Sequence, residues 1–434
     1  MTDQSASPAT TGNALTAQRL LKRNTRFLYH DMGWQGLITG GISTFLAIFL
    51  VRLGASALLV SLLTSLPALI TLALSIPLVP LIERHQNLVR VVTWTRVGSR
   101  FCFLLIALVP LVLTGARLHA APVLIALIWG LSAVFSAATT PAFTAVLAAV
   151  VPPRLRPMVN GQRWALFSLV TALSSAAFGR LLDVIPFPWN FQGIFLLSFL
   201  AGLVSIFFFD RIRIPPENHT PPPPRATNPL RAIAALARES AGQPAFTAYL
   251  LTTFVYRLGL SLPVALFPLY WVDHLHASNT WIGFNTTACY GMLVVAYVAW
   301  GRVANRYGYR TVLLWSSFGS SFYPLLTSLV PSPIWMIPVA MVYGTFAAGI
   351  DISFFEGLLE ASPPEQRASF AAVNASFANL AVLVGPLAGT AVADWLGIRA
   401  GFIAAGGLCL AGTALFYVLA SGGGRREPQL ARAE

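Results

Sequence analysis

The chain has 434 residues, of which 56% are hydrophobic and 10% charged, with 29 Phe, 11 Trp and a formal net charge of +13. So little polar surface cannot cover a water-soluble globule of this length. The basic excess is spread over the ends of apolar runs instead of gathered in one patch, which argues against a nucleic-acid surface and for a membrane.

Runs long enough to span a bilayer, roughly 20 mainly apolar residues each, recur along the whole chain. In order they cover 32–52, 57–81, 97–115, 122–150, 164–185, 191–209, 246–272, 281–303, 311–330, 333–359, 369–393 and 400–420. Continuous runs such as FCFLLIALVPLVL do not alternate as barrel strands do. The expected fold class is therefore an all-α membrane protein of about twelve transmembrane helices. Before the first run, residues 1–26 read as a cytoplasmic N-terminal arm without a basic start or apolar segment typical of a cleaved signal peptide.

Hydropathy breaks after Asp210, where a proline run and a short basic amphipathic segment, Leu230 to Arg238, precede Phe246. The expected organisation is a six-helix bundle over 27–210, a Pro-rich cytoplasmic linker over 211–244, a second six-helix bundle over 245–420 and a cytoplasmic tail over 421–434. Polar landmarks repeat between the halves. Leu53, Ala55 and Ser56 match Leu275, Ala277 and Ser278 at an offset of 222, and Pro152, Pro153, Arg156 and Asp183 match Pro363, Pro364, Arg367 and Asp394 at an offset of 211. Ordered matches of this kind predict two halves related by pseudo-two-fold symmetry.

Sidedness follows from the arginines. They gather before the first run and in the loops after runs two, four, six and eight, Arg163 being counted among them, whereas the other side holds only Arg52, Arg117, Arg180 and Arg399. The positive-inside rule places both termini in the cytoplasm. Lys22 is the only lysine, which excludes a Walker A nucleotide loop and a Schiff-base lysine within the membrane. Cys102, Cys289 and Cys409 fall inside apolar runs without motif spacing, and His274 and His276 beside Asp273 lack further convergent ligands, so no metal and no cofactor is expected.

Ionisable groups inside spans point to a transport path, because each costs several kcal/mol unless paired or hydrated. His30, Asp31, Arg257, Asp351 and Glu356 qualify, whereas Arg96 and Arg100 enter the third run near its cytoplasmic end and are expected to snorkel. The 222 offset places Tyr256 on Trp34 and Arg257 on Gln35, so both halves carry an aromatic residue followed by a polar donor at one level. Arg257 and Asp351 lie at similar depths from the cytoplasmic side, roughly 15 Å and 13 Å at 1.5 Å per residue, and are expected to meet. Thr139, Thr140, Asn374 and Asn379 read as cross-links between helices.

Between the eighth and ninth runs stands WGRVANRYGYRT, with Gly301, Asn305, Arg306, Gly308 and Arg310 in fixed spacing. This stretch resembles the loop signature of the major facilitator superfamily of secondary transporters, in which Asn305 takes the place of an acidic residue. The first-half counterpart, PLVPLIERHQN, keeps Glu83 and Arg84 but not the glycines. The segment from Pro141 to Arg156 is similar to that family's fourth helix and following loop. The resemblance implies a cavity lined by helices one, four, seven and ten, and a cytoplasmic loop, Arg306 above all, that latches helix ends in one conformation.

The implied function is a secondary active transporter of a small solute across the cytoplasmic (bacterial inner) membrane, working by alternating access as a monomer among membrane lipids. Proton coupling through Asp351 or Glu356 and export of amphipathic compounds are options within it. Two alternatives stand beside it: an integral-membrane enzyme acting on lipid, and a non-transporting receptor on the same scaffold. The enzyme lacks a cluster of acids, since Asp351 and Glu356, five residues apart, fall on different helix faces.

Overall fold

The structure, a computed structural model, describes residues 8–83, 85, 87–113, 120–215, 238, 242–363 and 366–422. Arg84, most of the expected linker and the expected C-terminal tail beyond Gly422 lie outside the described residues. Those described contain helices and no strand.

The helices are α1 (Pro8–Ile38, continued by a π-helical turn Thr39–Ser43 and by Thr44–Arg52), α2 (Ala57–Glu83), α3 (Leu88–Val112), α4 (Ala121–Val150), α5 (Arg156–Val184), α6 (Trp189–Phe209), α7 (Pro244–Ser261, continued by Leu266–Leu269 and a π-helical turn Tyr270–His274), α8 (Asn279–Tyr307), α9 (Tyr309–Ser328), α10 (Met336–Ala361), α11 (Arg367–Leu396) and α12 (Ile398–Gly422). Eleven of the described helices have the length and apolar composition to cross a membrane; α9 is the twelfth, at 20 residues. Exposed Leu, Val, Phe and Trp side chains line many of them, as lipid contact requires. The chain is an integral membrane protein.

Two compact units are formed, Met1–Phe45 with Ala73–Thr227, and Leu46–Leu72 with Asn228–Glu434. This division differs from the expected one at residues 46–72. Within the second unit, Val51 and Val60 share a small core with Ala265, Arg52 Nε donates to Asn279 Oδ1 at 3.1 Å, and Ser61 Oγ lies 3.0 Å from Thr390 Oγ1. Hydropathy fixes where a helix crosses the membrane but not which neighbours it packs on, so chain order alone does not assign this segment to a unit.

Packing inside each unit depends on small residues. Where α1 passes α5 and α6, Gly40 and Gly41 sit so close to Ser174 and Ser198 that a Cβ has no room, and the backbone N–H of Ile42 donates to Ser198 Oγ at 3.2 Å. The π-helical turn stands at this crossing, where a widened turn frees backbone groups for outside partners. A matched device marks the repeat: a Cβ on Gly98 of α3 would strike the Phe135 ring of α4, and one on Gly319 of α9 would strike the Phe346 ring of α10. The two glycines are 221 apart and the two phenylalanines 211, close to the offsets read from the sequence.

Candidate functional site

The first unit holds a buried polar cluster between α1, α3, α5 and α6. Asp31, fully buried, accepts at Oδ1 from Arg96 Nη1 and from Ser205 Oγ, both at 2.6 Å. One turn further along α1, Gln35 accepts from Arg100 Nη2 at 2.8 Å and donates to Ser205 Oγ at 3.1 Å. Arg163 of α5 bonds Asn160 Oδ1 at 2.9 Å. Three guanidinium groups thus face one carboxylate. Aromatic rings take up the rest of the charge, with Arg96 4.5 Å from the Phe209 centroid, Arg100 4.9 Å from Phe103 and Arg163 4.7 Å from Phe143.

Two expectations are corrected here. Arg96 and Arg100 do not snorkel to the cytoplasmic surface but are buried, drawn inward by Asp31 and Gln35. Room for Arg100 comes from Gly202, where a Cβ would lie 2.5 Å from its Cδ. Arg163 does not belong to a loop; it lies on α5 at 4% exposure. A signal for the cluster stood in the sequence: Asp31 and Gln35 are four apart, Arg96 and Arg100 are four apart, and each bonded pair is separated by 65 residues. Two i,i+4 pairs in register present matching faces of adjacent helices.

In the second unit Arg257 of α7 lays its guanidinium over the Phe354 ring of α10, 4.6 Å from the centroid. Phe354 is itself fixed, because Tyr249 Oη donates to its carbonyl at 2.7 Å and Tyr256 meets it edge-on at 5.9 Å. Asp351, one turn before Phe354, is exposed and accepts from Tyr297 Oη at 2.7 Å through Oδ2. Arg257 and Asp351 feel each other's charge, yet they do not form the direct ion pair expected of them: neither pair within 4.0 Å among the described residues contains either. Arg257 Nε is buried without a hydrogen-bond partner.

The other candidates are placed as follows. Tyr256 is fully buried, bonds the Ser317 carbonyl at 3.1 Å and packs on Phe416, which makes it a fixed post beside Arg257. Trp34 is half-buried, and Glu356 is exposed on the surface of α10. Thr139 Oγ1 donates to Thr95 Oγ1 at 2.9 Å, joining α4 to α3.

The expected loop between the eighth and ninth spans is shorter than its polarity suggests. Gly301, Asn305 and Arg306 lie on the last two turns of α8, and the turn reduces to Gly308, whose φ of +82° is open to glycine at little cost. Charge in an apolar sequence reads as loop, but an exposed helix end at the membrane surface carries it equally well. Arg306 lies over the Tyr307 ring at 5.2 Å. Arg310, at the start of α9, pairs with Glu360 of α10 at 2.6 Å, and Tyr309 Oη donates to the same carboxylate. Glu83 is the last residue of α2.

A sequence profile of the Major Facilitator Superfamily matches residues 33–251 and, a second time, residues 249–433. No curated protein matches the chain. Among solved structures, the fold is similar to a nucleoside transporter, NupG, with TM-score 0.71 and 11% identity over 91% of this chain and 99% of that one. It is similar to a POT family transporter in complex with 5-aminolevulinic acid, with TM-score 0.73 and 11% identity over 92% and 96%. It is also similar to the human organic anion transporter MFSD10, with TM-score 0.60 and 17% identity over 91% and 99%. With twelve helices, an internal repeat and a family profile that fits each half in turn, the chain belongs to the major facilitator superfamily.

Proposed function

We propose that this protein is a secondary active transporter that carries a small solute across the cytoplasmic membrane by alternating access, with both termini in the cytoplasm. The observation that carries the reading is the double family match, 33–251 and 249–433. Two repeated halves are what a rocking mechanism around a central site requires. The transporters among the similar structures support the same class, and the absence of an acid cluster in the sequence stands against a lipid-modifying enzyme.

The second unit carries the candidate substrate residues, Arg257 and Asp351, with Glu356 nearby on α10 and Tyr297 holding Asp351. In the first unit Gln35 is already committed to Arg100 and Ser205, so the cluster around it holds the bundle together. A proton-driven cycle would use Asp351, because it combines membrane depth with exposure, whereas Asp31 is buried and bonded to Arg96 and Ser205.

The test is counterflow in vesicles containing the purified full chain. A panel of labelled nucleosides, peptides, organic acids and amphipathic drugs is offered with and without a pH gradient. Accumulation against its gradient of any one solute, dependent on the protein, establishes transport. A chain that binds a solute but never moves it is a receptor on this scaffold.

A further inference from the structure

Arg257 and Asp351 are opposite charges held within reach of one another's field but not joined. Each is fixed from behind. The ring of Phe354 backs the guanidinium plane at 4.6 Å, and Phe354 is in turn pinned by the hydroxyl of Tyr249. Tyr297 occupies Oδ2 of Asp351 and so orients the carboxylate. Nothing among the described residues closes the ion pair, and Arg257 Nε is buried without a hydrogen-bond partner.

The first unit shows what this chain does with similar groups when the purpose is cohesion. There Asp31 and Arg96 close to 2.6 Å and Arg100 bonds Gln35, although Arg100 Nε and Arg163 Nε, like Arg257 Nε, are buried without a hydrogen-bond partner; what sets the second unit apart is that its carboxylate and guanidinium do not close a pair. A guanidinium at membrane depth is costly unless a partner or water satisfies it. Phe354 and Asp351 are three residues apart on α10, about 4.5 Å along the axis, so the ring that backs Arg257 and the carboxylate that Tyr297 holds stand on neighbouring turns of one helix.

We infer that the Arg257–Asp351 gap is a substrate subsite for a small organic acid that carries a hydrogen-bond donor, its carboxylate on Arg257 and its amine or hydroxyl on Asp351. The inference rests on the transporter reading and adds the chemical class of the solute. A guanidinium fork matches a carboxylate through two parallel hydrogen bonds and, backed by a ring, pays little to be oriented. A phosphate also fits a guanidinium, but a dianion is repelled by the nearby Asp351, so the monoanionic carboxylate is favoured. The donor requirement follows from the free oxygen of Asp351, which a bare acid leaves unsatisfied.

The experiment measures thermal stabilisation of the purified full chain by five matched probes: phenylalanine, 3-phenyllactate, 3-phenylpropionate, phenylalaninamide and phenyl phosphate. Phenylalanine and phenyllactate are expected to raise Tm most, phenylpropionate less, and the amide and the phosphate not at all. Arg257→Gln should remove every shift and Arg257→Lys should weaken apparent affinity roughly tenfold, as loss of a bidentate charge-assisted contact predicts. Asp351→Asn should abolish the advantage of phenylalanine over phenylpropionate. Size-exclusion profile and unliganded Tm establish that each variant folds, and the lysine variant decides the matter where the glutamine variant does not fold.

An amide or phosphate that stabilises as well as the acids overturns the inference. So does an acid-induced shift that survives Arg257→Gln or is undiminished in Arg257→Lys, and so does a panel in which no acid acts at millimolar concentration. Vesicle counterflow separates this from the broader reading. Transport of a solute without a carboxylate, unaffected by Arg257→Gln, sinks the subsite and leaves the transporter, whereas an acid that binds through Arg257 but is never moved keeps the subsite and sinks the transporter.

Discussion

Arg96 Nη1 lies 2.6 Å from Asp31 Oδ1, and the two side chains are 9% and 0% exposed. This is the only carboxylate that faces Arg96, Arg100 and Arg163 within the cluster described, so it neutralises more than its direct partner. Removing one member of a buried pair typically costs about 3–5 kcal/mol. Asp31→Asn should therefore lower stability by about that amount or prevent folding, because it leaves three buried cations without a counter-charge. Arg163→Met should be milder, since Asp31 keeps its direct bond to Arg96 and the apolar side chain still packs on Phe143. Thermal unfolding of the purified variants checks the order; an Asp31→Asn protein as stable as the parent refutes it.

The glycine-to-ring contacts predict paired steric defects. Gly98 against Phe135 and Gly319 against Phe346 occupy matching places in the two halves. Gly98→Leu and Gly319→Leu should each lower stability by about 1–3 kcal/mol or more, as overpacking does. Gly193 and Gly407, where a Cβ meets nothing within 4 Å, should accept alanine with little change. Equal tolerance at both sets of positions would count against the close packing of α3 on α4 and of α9 on α10.

Much of this architecture was legible in the sequence, and the parts that were not share a cause. Helix number, membrane location and the internal repeat follow from hydropathy and offsets, which need no knowledge of neighbours. The fates of Arg96, Arg100 and Arg163 do not, because a basic residue near a helix end reads the same whether it reaches for water or for a buried acid. Only the matching i,i+4 spacing of Asp31 with Gln35 and of Arg96 with Arg100 distinguishes the cases. Arg257 and Asp351 lie near enough to sense each other's charge but form no ion pair. Depth along two helices says nothing of the rotation that aims each side chain.

The cytoplasmic ends of α8, α9 and α10 separate backbone from charge. Gly308→Ala forces a side chain onto a φ of +82° and should cost about 1–2 kcal/mol. Glu360→Gln removes a pair whose side chains are 48% and 47% exposed, for which at most about 1 kcal/mol is expected. If Arg306 latches one conformation, Arg306→Ala should slow transport while ligand affinity stays within a fewfold. Unfolding and vesicle transport measured together settle these; an unchanged rate in Arg306→Ala reduces that residue to a membrane-surface anchor.

The last prediction sets the two charge pairs against each other. A double-mutant cycle isolates the energy by which two side chains depend on one another. For Asp31 and Arg96 the dependence should be large: either single neutral substitution strands a buried charge, and the double variant should recover several kcal/mol relative to the sum of the singles. For Arg257 and Asp351, which form no ion pair and of which Asp351 is exposed, the coupling in stability should fall below about 1 kcal/mol. Asp351→Asn and Arg257→Gln should then fold nearly as well as the parent, yet each should lose transport, and the neutral double variant should remain inactive because a substrate has lost both of its anchors. Thermal stability and vesicle transport on all six variants read the two cycles. Strong stability coupling between Arg257 and Asp351, with transport restored in the double variant, would show that this pair serves cohesion as Asp31 and Arg96 do, and the substrate site would have to be sought elsewhere in the bundle.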